Sequence, residues 1–214
     1  MPVSMFHDNK PFHLAIFASG TGTNARNIIE YFHSPDYKGI QAKIELIVSN
    51  KENAGVLDIA SKHQIKSLVI GKDRFMHGDA YLPELKNIDF IVLAGFLWKI
   101  PHLLVKSFKR KIINIHPALL PKFGGQGMYG MFVHEEVIKH NETETGITIH
   151  YIDENYDEGD TILQARCIVE AGETPAMIAR KVRDLEHYYL PRTIESLLNA
   201  KSELNQNDKG TEKS

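Results

Sequence analysis

The sequence predicts an α/β protein built on a doubly wound, mostly parallel sheet with an antiparallel strand in its C-terminal half. Three observations carry that prediction. Four short runs rich in Ile, Val and Leu, namely FHLAIFA, AKIELIVSN, KSLVI and DFIVLAG, recur between Phe12 and Gly95, separated by longer segments of helical period. Strands that are apolar along their whole length must meet protein on both faces, and a parallel sheet flanked by helices provides this. A fifth run, KIINIHP, ends at Pro117, which has no amide hydrogen to donate to a ladder. Two runs, TGITIHYI and DTILQARCIVE, then follow with a connection too short for a parallel crossover. They are expected to form an antiparallel hairpin joined by the acidic turn DENYDEG.

The helices follow from spacing and caps. A short one is expected from about Pro101 to Ser107, and another from Met131 to His140 after the Gly-rich loop KFGGQGMYG. From Thr174 to about Asn199 the residues Ile178, Val182, Leu185, Leu190, Ile194 and Leu197 recur at helical spacing, with Thr174 as N-cap and Pro191 as a kink or break. The closing segment KSELNQNDKGTEKS holds one apolar side chain and balanced charge, so a frayed tail is expected. The expected organisation is one domain over residues 1–200, with halves at about 12–100 and 101–200, and a disordered tail over 201–214. No internal repeat is found.

Composition bounds the function. At 214 residues and 43% hydrophobic, the chain can bury roughly 70% of its unfolded surface and needs neither disulfides nor a structural metal. The single cysteine, Cys167, cannot form an internal bridge, and no charged-plus-apolar leader opens the sequence, which predicts a reduced, cytoplasmic protein. Lys and Arg number 25 against 27 Asp and Glu, interspersed along the chain, which argues against nonspecific nucleic-acid binding. The longest apolar run is far too short to cross a bilayer of about 30 Å.

Three stretches carry chemistry. In SGTGTNARN, directly after the first strand, Gly20 and Gly22 allow close backbone approach while Thr21, Thr23 and Asn24 add donors at a helix N-terminus. This suits a phosphate, although a tight strand-to-helix turn uses the same glycines. A dinucleotide site wants an acidic residue at the tip of the second strand, where Ser49, Asn50 and Lys51 stand instead, so a sugar monophosphate is favoured. In IINIHPALLP, Asn114 and His116 sit two apart at the carboxyl end of a strand and share a side. Both can donate to an oxygen that becomes negative in a carbonyl reaction. The turn HYIDENYDEGD gathers Asp153, Glu154, Asp157, Glu158 and Asp160, most of them expected in solvent. One carboxylate folded against His116 would raise its pKa above about 6.5 and hold it protonated, and spacing does not say which. VHEEVIKH lacks the second histidine of a zinc-protease helix, because position 138 is Ile. Ser19 does not sit in a nucleophile elbow.

Taken in order, SGTGTN, LAGF, INIHPALLP and YDEGDTILQ resemble the glycinamide ribonucleotide formyltransferase family over about Leu14 to Leu198. The resemblance implies a formyltransferase-like fold with a catalytic and folate-binding second half. It implies transfer of a formyl group from 10-formyltetrahydrofolate to the amine of 5'-phosphoribosylglycinamide, without a metal. Asn114, His116 and Asp157 take the catalytic positions. Gly20, Thr21, Gly22, Thr23 and Asn24 hold the phosphate, and Glu186 and Arg183 meet the same ribonucleotide. The folate lies along Leu97, Trp98, Lys99 and Ile100, beside Asn114 and the stretch Asp153, Glu154, Asn155, Tyr156 and Asp157. LAGFLWKIP departs from the commoner Met-Arg pairing after LAGF. His134 carries over from the longer Gly-rich loop with its role open, and Arg74 is the candidate for a formyl-side arginine. Small molecules are the expected partners, with no nucleic acid or membrane, and the expected state is monomer or homodimer. Relatives using the same folate, methionyl-tRNA formyltransferase and formyltetrahydrofolate hydrolase, carry an extra domain that this length does not suit. A nicotinamide-dependent dehydrogenase is disfavoured by the missing acidic residue after the second strand, and a noncatalytic nucleotide sensor by the set Asn114, His116 and Asp157.

Overall fold

The computed structural model describes residues 10–154 and 157–211. Its frame is a seven-stranded sheet in the order β3-β2-β1-β4-β5-β6-β7. The strands are β1 Phe12–Phe17, β2 Ala42–Ser49, β3 Lys66–Val69, β4 Phe90–Leu93, β5 Ile112–His116, β6 Glu144–Tyr151 and β7 Thr161–Ile168. The first five pair in parallel, and β6 runs antiparallel to both β5 and β7. Each run expected to be a strand is one, and the expected hairpin forms, lying beside β5.

Alternation along the strands divides the core into two layers. Leu14, Ile16, Val92, Ile113, Ile115, Ile147 and Ile149 face one layer together with α1 (Thr23–Phe32), α2 (Gly55–Lys62), α5 (Met131–Lys139) and α6 (Pro175–Thr211). Ala15, Phe17, Leu46, Val48, Ile91, Leu93 and Ile112 face the other, covered by α3 (Lys72–Met76), a 3-10 turn at Pro83–Leu85 and α4 (His102–Ser107). At about 25 cal/mol per Å² of apolar surface, these two layers are the main stabilising term.

Helix α6 begins as expected and differs from its sequence-based expectation at Pro191 and at its C-terminal end. Thr174 caps it, since its hydroxyl accepts from the Met177 amide at 3.4 Å. Pro191 lies inside without ending it, because Leu190, Thr193, Ile194 and Leu198 are buried around it and the packing outweighs the lost hydrogen bond. The helix also runs on through Thr211 instead of giving way to a frayed tail at residue 201. No proline and, before Gly210, no glycine interrupts that stretch. It is tied down by Glu195, whose carboxylate accepts from Tyr31 Oη at 2.6 Å and Tyr37 Oη at 2.8 Å. Among the described residues no helix is long and apolar enough to cross a membrane.

The β6–β7 turn depends on a glycine. A Cβ at Gly159 would stand 1.9 Å from the Tyr151 carbonyl oxygen, which is backbone and cannot yield, whereas one at Gly71 would meet nothing within 4 Å. Gly159→Ala is expected to lower stability by about 3 kcal/mol, the upper end of overpacking costs. Gly71→Ala should stay within about 0.5 kcal/mol of wild type. Urea denaturation of both variants checks the contrast.

Candidate active site

The chain crosses from β3 back to β4, so β1 and β4 lie side by side with their following loops diverging, the place where open α/β sheets bind ligands. Two bonds fix the loops here. Ser19 N–H donates to the Gly95 carbonyl at 3.0 Å, and Leu97 N–H to Ser19 Oγ at 3.0 Å. The cleft they open has a volume of about 900 Å³. A second depression, of about 750 Å³, lies at the amino ends of the strands among Lys66, Lys86 and Lys111, and none of the candidate residues borders it.

The glycine loop forms one wall. Gly22 stands at the N-terminus of α1 with φ +77°, and a Cβ there would press on Val56 at 2.8 Å. Only glycine combines that backbone with that neighbour. Gly20 has open space around it instead, so its use is close approach and not a left-handed turn. No side chain caps α1, which leaves its first amides for a ligand. Thr21, Thr23 and Asn24 border the same cleft.

The second wall comes from the β5–β6 pair. Asn114 lies opposite His150 and His116 opposite Thr148, so these four polar side chains share the face that Ile113, Ile115, Ile147 and Ile149 avoid. His150 is fully buried. Its Nδ1–H donates to the Tyr151 carbonyl at 3.0 Å, leaving Nε2 to accept from Asn114 Nδ2 at 3.1 Å. That bond aims one amide hydrogen of Asn114 at the ring and frees the other. His116 Nε2 donates to the Phe123 carbonyl at 2.7 Å, so its Nδ1 is the nitrogen turned toward Asp157 Oδ2, at 3.6 Å.

Asp157 closes this group. Its backbone is left-handed at φ +56°, a conformation that aspartate tolerates better than most residues. Its carboxylate accepts from Gly125 N–H at 2.9 Å and stands 3.5 Å from His150 Nε2. Burial alone would raise this carboxyl, but the charge His116 carries when protonated and the Gly125 amide hold it below the ordinary range. For His116 the balance goes the other way. At 4% exposure, burial outweighs the pull of Asp157 and the Phe123 carbonyl and keeps the ring below its usual pKa. The expectation of a resting, protonated His116 is therefore corrected, because desolvation of the cation exceeds the attraction of one carboxylate.

Helices α5 and α6 supply the third wall, with His134, Arg183 and Glu186. Glu186 Oε2 accepts from Asn24 Nδ2 at 3.1 Å. Burial raises its carboxyl despite the Asn24 bond and Arg183. Asn24 Oδ1 is buried without a partner. His134 is pushed down to about 4, by burial first and then by the charges of His116 and Arg183.

Asn114, His116, Asp157, the loop Gly20 to Asn24, Arg183, Glu186 and Leu97 thus meet around one cleft. Of the other residues expected along the folate, Trp98, Lys99, Ile100, Asp153 and Glu154 do not border it. Trp98 packs on Phe75 and Phe96, with ring centroids at 5.9 and 6.2 Å. Ile100 belongs to the core, and Lys99 is exposed. Glu154 pairs with His102 at 3.0 Å, and Asp153 lies just before it. Asn155 and Tyr156 lie outside the described residues. Arg74 turns away, donating to the Ala80 carbonyl at 2.8 Å and stacking 4.4 Å over the Tyr81 ring. Sequence reasoning missed His150, although TGITIHYI carried a signal: a histidine in phase with Thr148 and out of phase with Ile147 and Ile149. Among the described residues no group of three or more His, Cys, Asp or Glu side chains could hold a metal ion.

The chain is similar to known proteins along most of its length. Residues 12–194 match the formyl transferase family. The chain is 38% identical over 188 residues to the chloroplastic phosphoribosylglycinamide formyltransferase of Arabidopsis thaliana, covering 85% of this chain and 63% of that one. It is 36% identical over 191 residues to the corresponding protein of Vigna unguiculata, covering 86% and 60%. The chain therefore spans less than two thirds of the length of these plant relatives. The crystal structure of phosphoribosylglycinamide formyltransferase from Bacillus halodurans superposes with a TM-score of 0.77 at 33% identity, over 87% of this chain and 95% of that one. By family match, relatives and fold together, the chain belongs to the formyl transferase family.

Proposed function

We propose that this protein transfers the formyl group of 10-formyltetrahydrofolate to the amine of 5'-phosphoribosylglycinamide, giving the formylated ribonucleotide and tetrahydrofolate in purine biosynthesis. One observation carries the reading. A carbonyl-activating amide, Asn114, and a histidine–carboxylate pair, His116 and Asp157, share a cleft with a phosphate-sized glycine loop and a half-buried carboxyl, Glu186. The names of the plant and bacterial relatives point to the same reaction.

The chemistry follows from the atoms. The ribonucleotide phosphate rests on the α1 amides and Gly20 to Asn24, and Glu186 with Asn24 receives the groups between phosphate and amine. The uncharged amine attacks the formyl carbon, forming a C–N bond and an oxyanion. The free Asn114 amide hydrogen donates to that oxygen. His116 Nδ1 accepts the amine proton, directly or through water, and the imidazolium so formed lies between the Asp157 carboxylate and the Phe123 carbonyl. That proton then passes to the folate nitrogen as its bond to the formyl carbon breaks. His116 is thus charged during turnover and neutral at rest. Leu97 and the loop after β4 form the folate side, with Trp98, Lys99, Ile100, Asp153 and Glu154 in the adjoining segments. The protein acts as a monomer or homodimer in the cytoplasm, where the free thiol of Cys167 stays reduced.

The reading is tested by following folate absorbance with purified protein, with and without the ribonucleotide. Turnover that requires the ribonucleotide supports it; folate turnover without it marks a hydrolase, and none at all overturns it. Asp157→Asn and His116→Ala should each lower kcat by roughly 10² to 10⁴ with the circular dichroism unchanged. The double variant should be little worse than either, because the pair acts as a unit. Since neutral His116 is the proton acceptor and burial holds its pKa down, kcat at saturating substrate, which reports the bound complex, should fall as pH drops through a midpoint below 6.5 and stay level above it. A limb centred above about 7 would contradict this. Asn24→Ala should raise KM for the ribonucleotide by on the order of tenfold, the cost of one buried hydrogen bond, with KM for the folate little changed.

A further inference from the structure

His134 is a buried polar side chain of the cleft that the scheme above leaves unused. It sits on α5, is 5% exposed, and borders the cleft close enough to His116 and Arg183 for their charges to act on it. Among the described residues its ring has no hydrogen-bond or ion-pair partner, and its Nδ1 is sealed from solvent with nothing to bond. A buried imidazole that bonds to nothing costs on the order of 1–3 kcal/mol, a cost that an apolar residue of similar size avoids. Orphaned polar groups inside a cleft point to a partner that arrives with the ligand. With Nδ1 enclosed, Nε2 is the nitrogen a ligand can reach.

We propose that His134 receives the attacking amine, its Nε2 accepting a hydrogen bond from the substrate N–H and so turning the nitrogen lone pair toward the formyl carbon beside His116. This rests on the function proposed above and extends it, since the scheme otherwise leaves the amine unheld. The neighbours fit the role. Glu186 and Asn24 bond to each other at the side of the glycine loop, so they serve the middle of the ribonucleotide. His134 is the unpaired group on the side of His116, where the amine must lie to react. Arg183 also faces it, and its positive field disfavours an ammonium at this place. An α-amino group titrates near about 7.7–8.0 in water, so a site that selects the uncharged form raises the reactive fraction. His134 is a positioning residue here: the proton itself goes to His116.

The test uses the full-length protein and two ligands, the ribonucleotide and its analogue with the amine replaced by hydrogen, measured by calorimetry. Wild type should bind the analogue roughly tenfold more weakly, and His134→Leu should bind the two alike, the loss of one hydrogen bond. In turnover, His134→Leu should lose roughly 10- to 100-fold in kcat/KM for the ribonucleotide while KM for the formyl donor stays within about twofold. His134→Gln, whose amide reaches the position of Nε2, should recover most of it. Thermal unfolding separates this from a structural role: His134→Leu should melt at or above the wild-type temperature without ligand, because it removes an unsatisfied group. Undiminished discrimination between the two ligands in His134→Leu, or a lowered melting temperature with both substrates affected equally, would overturn the proposal. Failure of wild type to bind the ribonucleotide would instead remove the function on which it rests.

Discussion

The antiparallel pairing of β5 with β6 is the constraint on which the site depends. It sets Asn114 opposite His150 and His116 opposite Thr148. Every later feature uses that register. Thr148 Oγ1 donates to the Ala118 carbonyl at 2.7 Å and accepts from Leu120 N–H at 3.0 Å, which pins the chain leaving β5 against the hairpin. Gln164 of β7 adds a bond to the Leu120 carbonyl at 2.8 Å. The pinned loop brings the Phe123 carbonyl to His116 and the Gly125 amide to Asp157. A slip of one residue would send His116 and Asn114 into the apolar layer and bring isoleucines into the cleft.

Burial then assigns the charges. Asp157 and Glu186 are carboxyls in one cleft, and their environments push them apart. Asp157 gains the Gly125 amide and the neighbouring His116 and is held low; Glu186 gains one amide and a desolvating wall and is raised. The histidines follow the same logic. Burial holds both below the ordinary imidazole range, at His116 against the pull of Asp157 and at His134 together with the charges of His116 and Arg183, and the neutral ring is an acceptor.

Helix α6 packs against α1 as well as against α5, β6 and β7. Its first turns carry Val182, Arg183 and Glu186 to the cleft, and further on Glu195 binds Tyr31 and Tyr37. Helix α1 is the counterpart, presenting Asn24 at one end and Tyr31 at the other. A proline inside α6 survives because burial of Leu190, Ile194 and Leu198 on the flanking turns is worth more than the hydrogen bond it removes.

The strands, the hairpin and the loop chemistry are legible in the amino-acid order alone. Apolar runs bounded by glycine and proline specify buried parallel strands, and an Asn two residues before a His at a strand end points both to one side. The four ordered motifs also carry the family resemblance and, with it, Asn114, His116 and Asp157. Other features need the fold. His150 has nothing in its own neighbourhood to show that its ring orients Asn114, since the partner strand lies 36 residues away. Helix persistence past residue 200 is illegible in a polar segment, where composition resembles that of a tail. Position after LAGF puts Trp98 beside the folate, and only packing shows its ring turned onto Phe75 and Phe96. The sign of the His116 shift likewise comes from tertiary structure. A sequence shows that a carboxylate is available, but desolvation depends on how completely the surrounding chain excludes water, and that is a property of the assembled core.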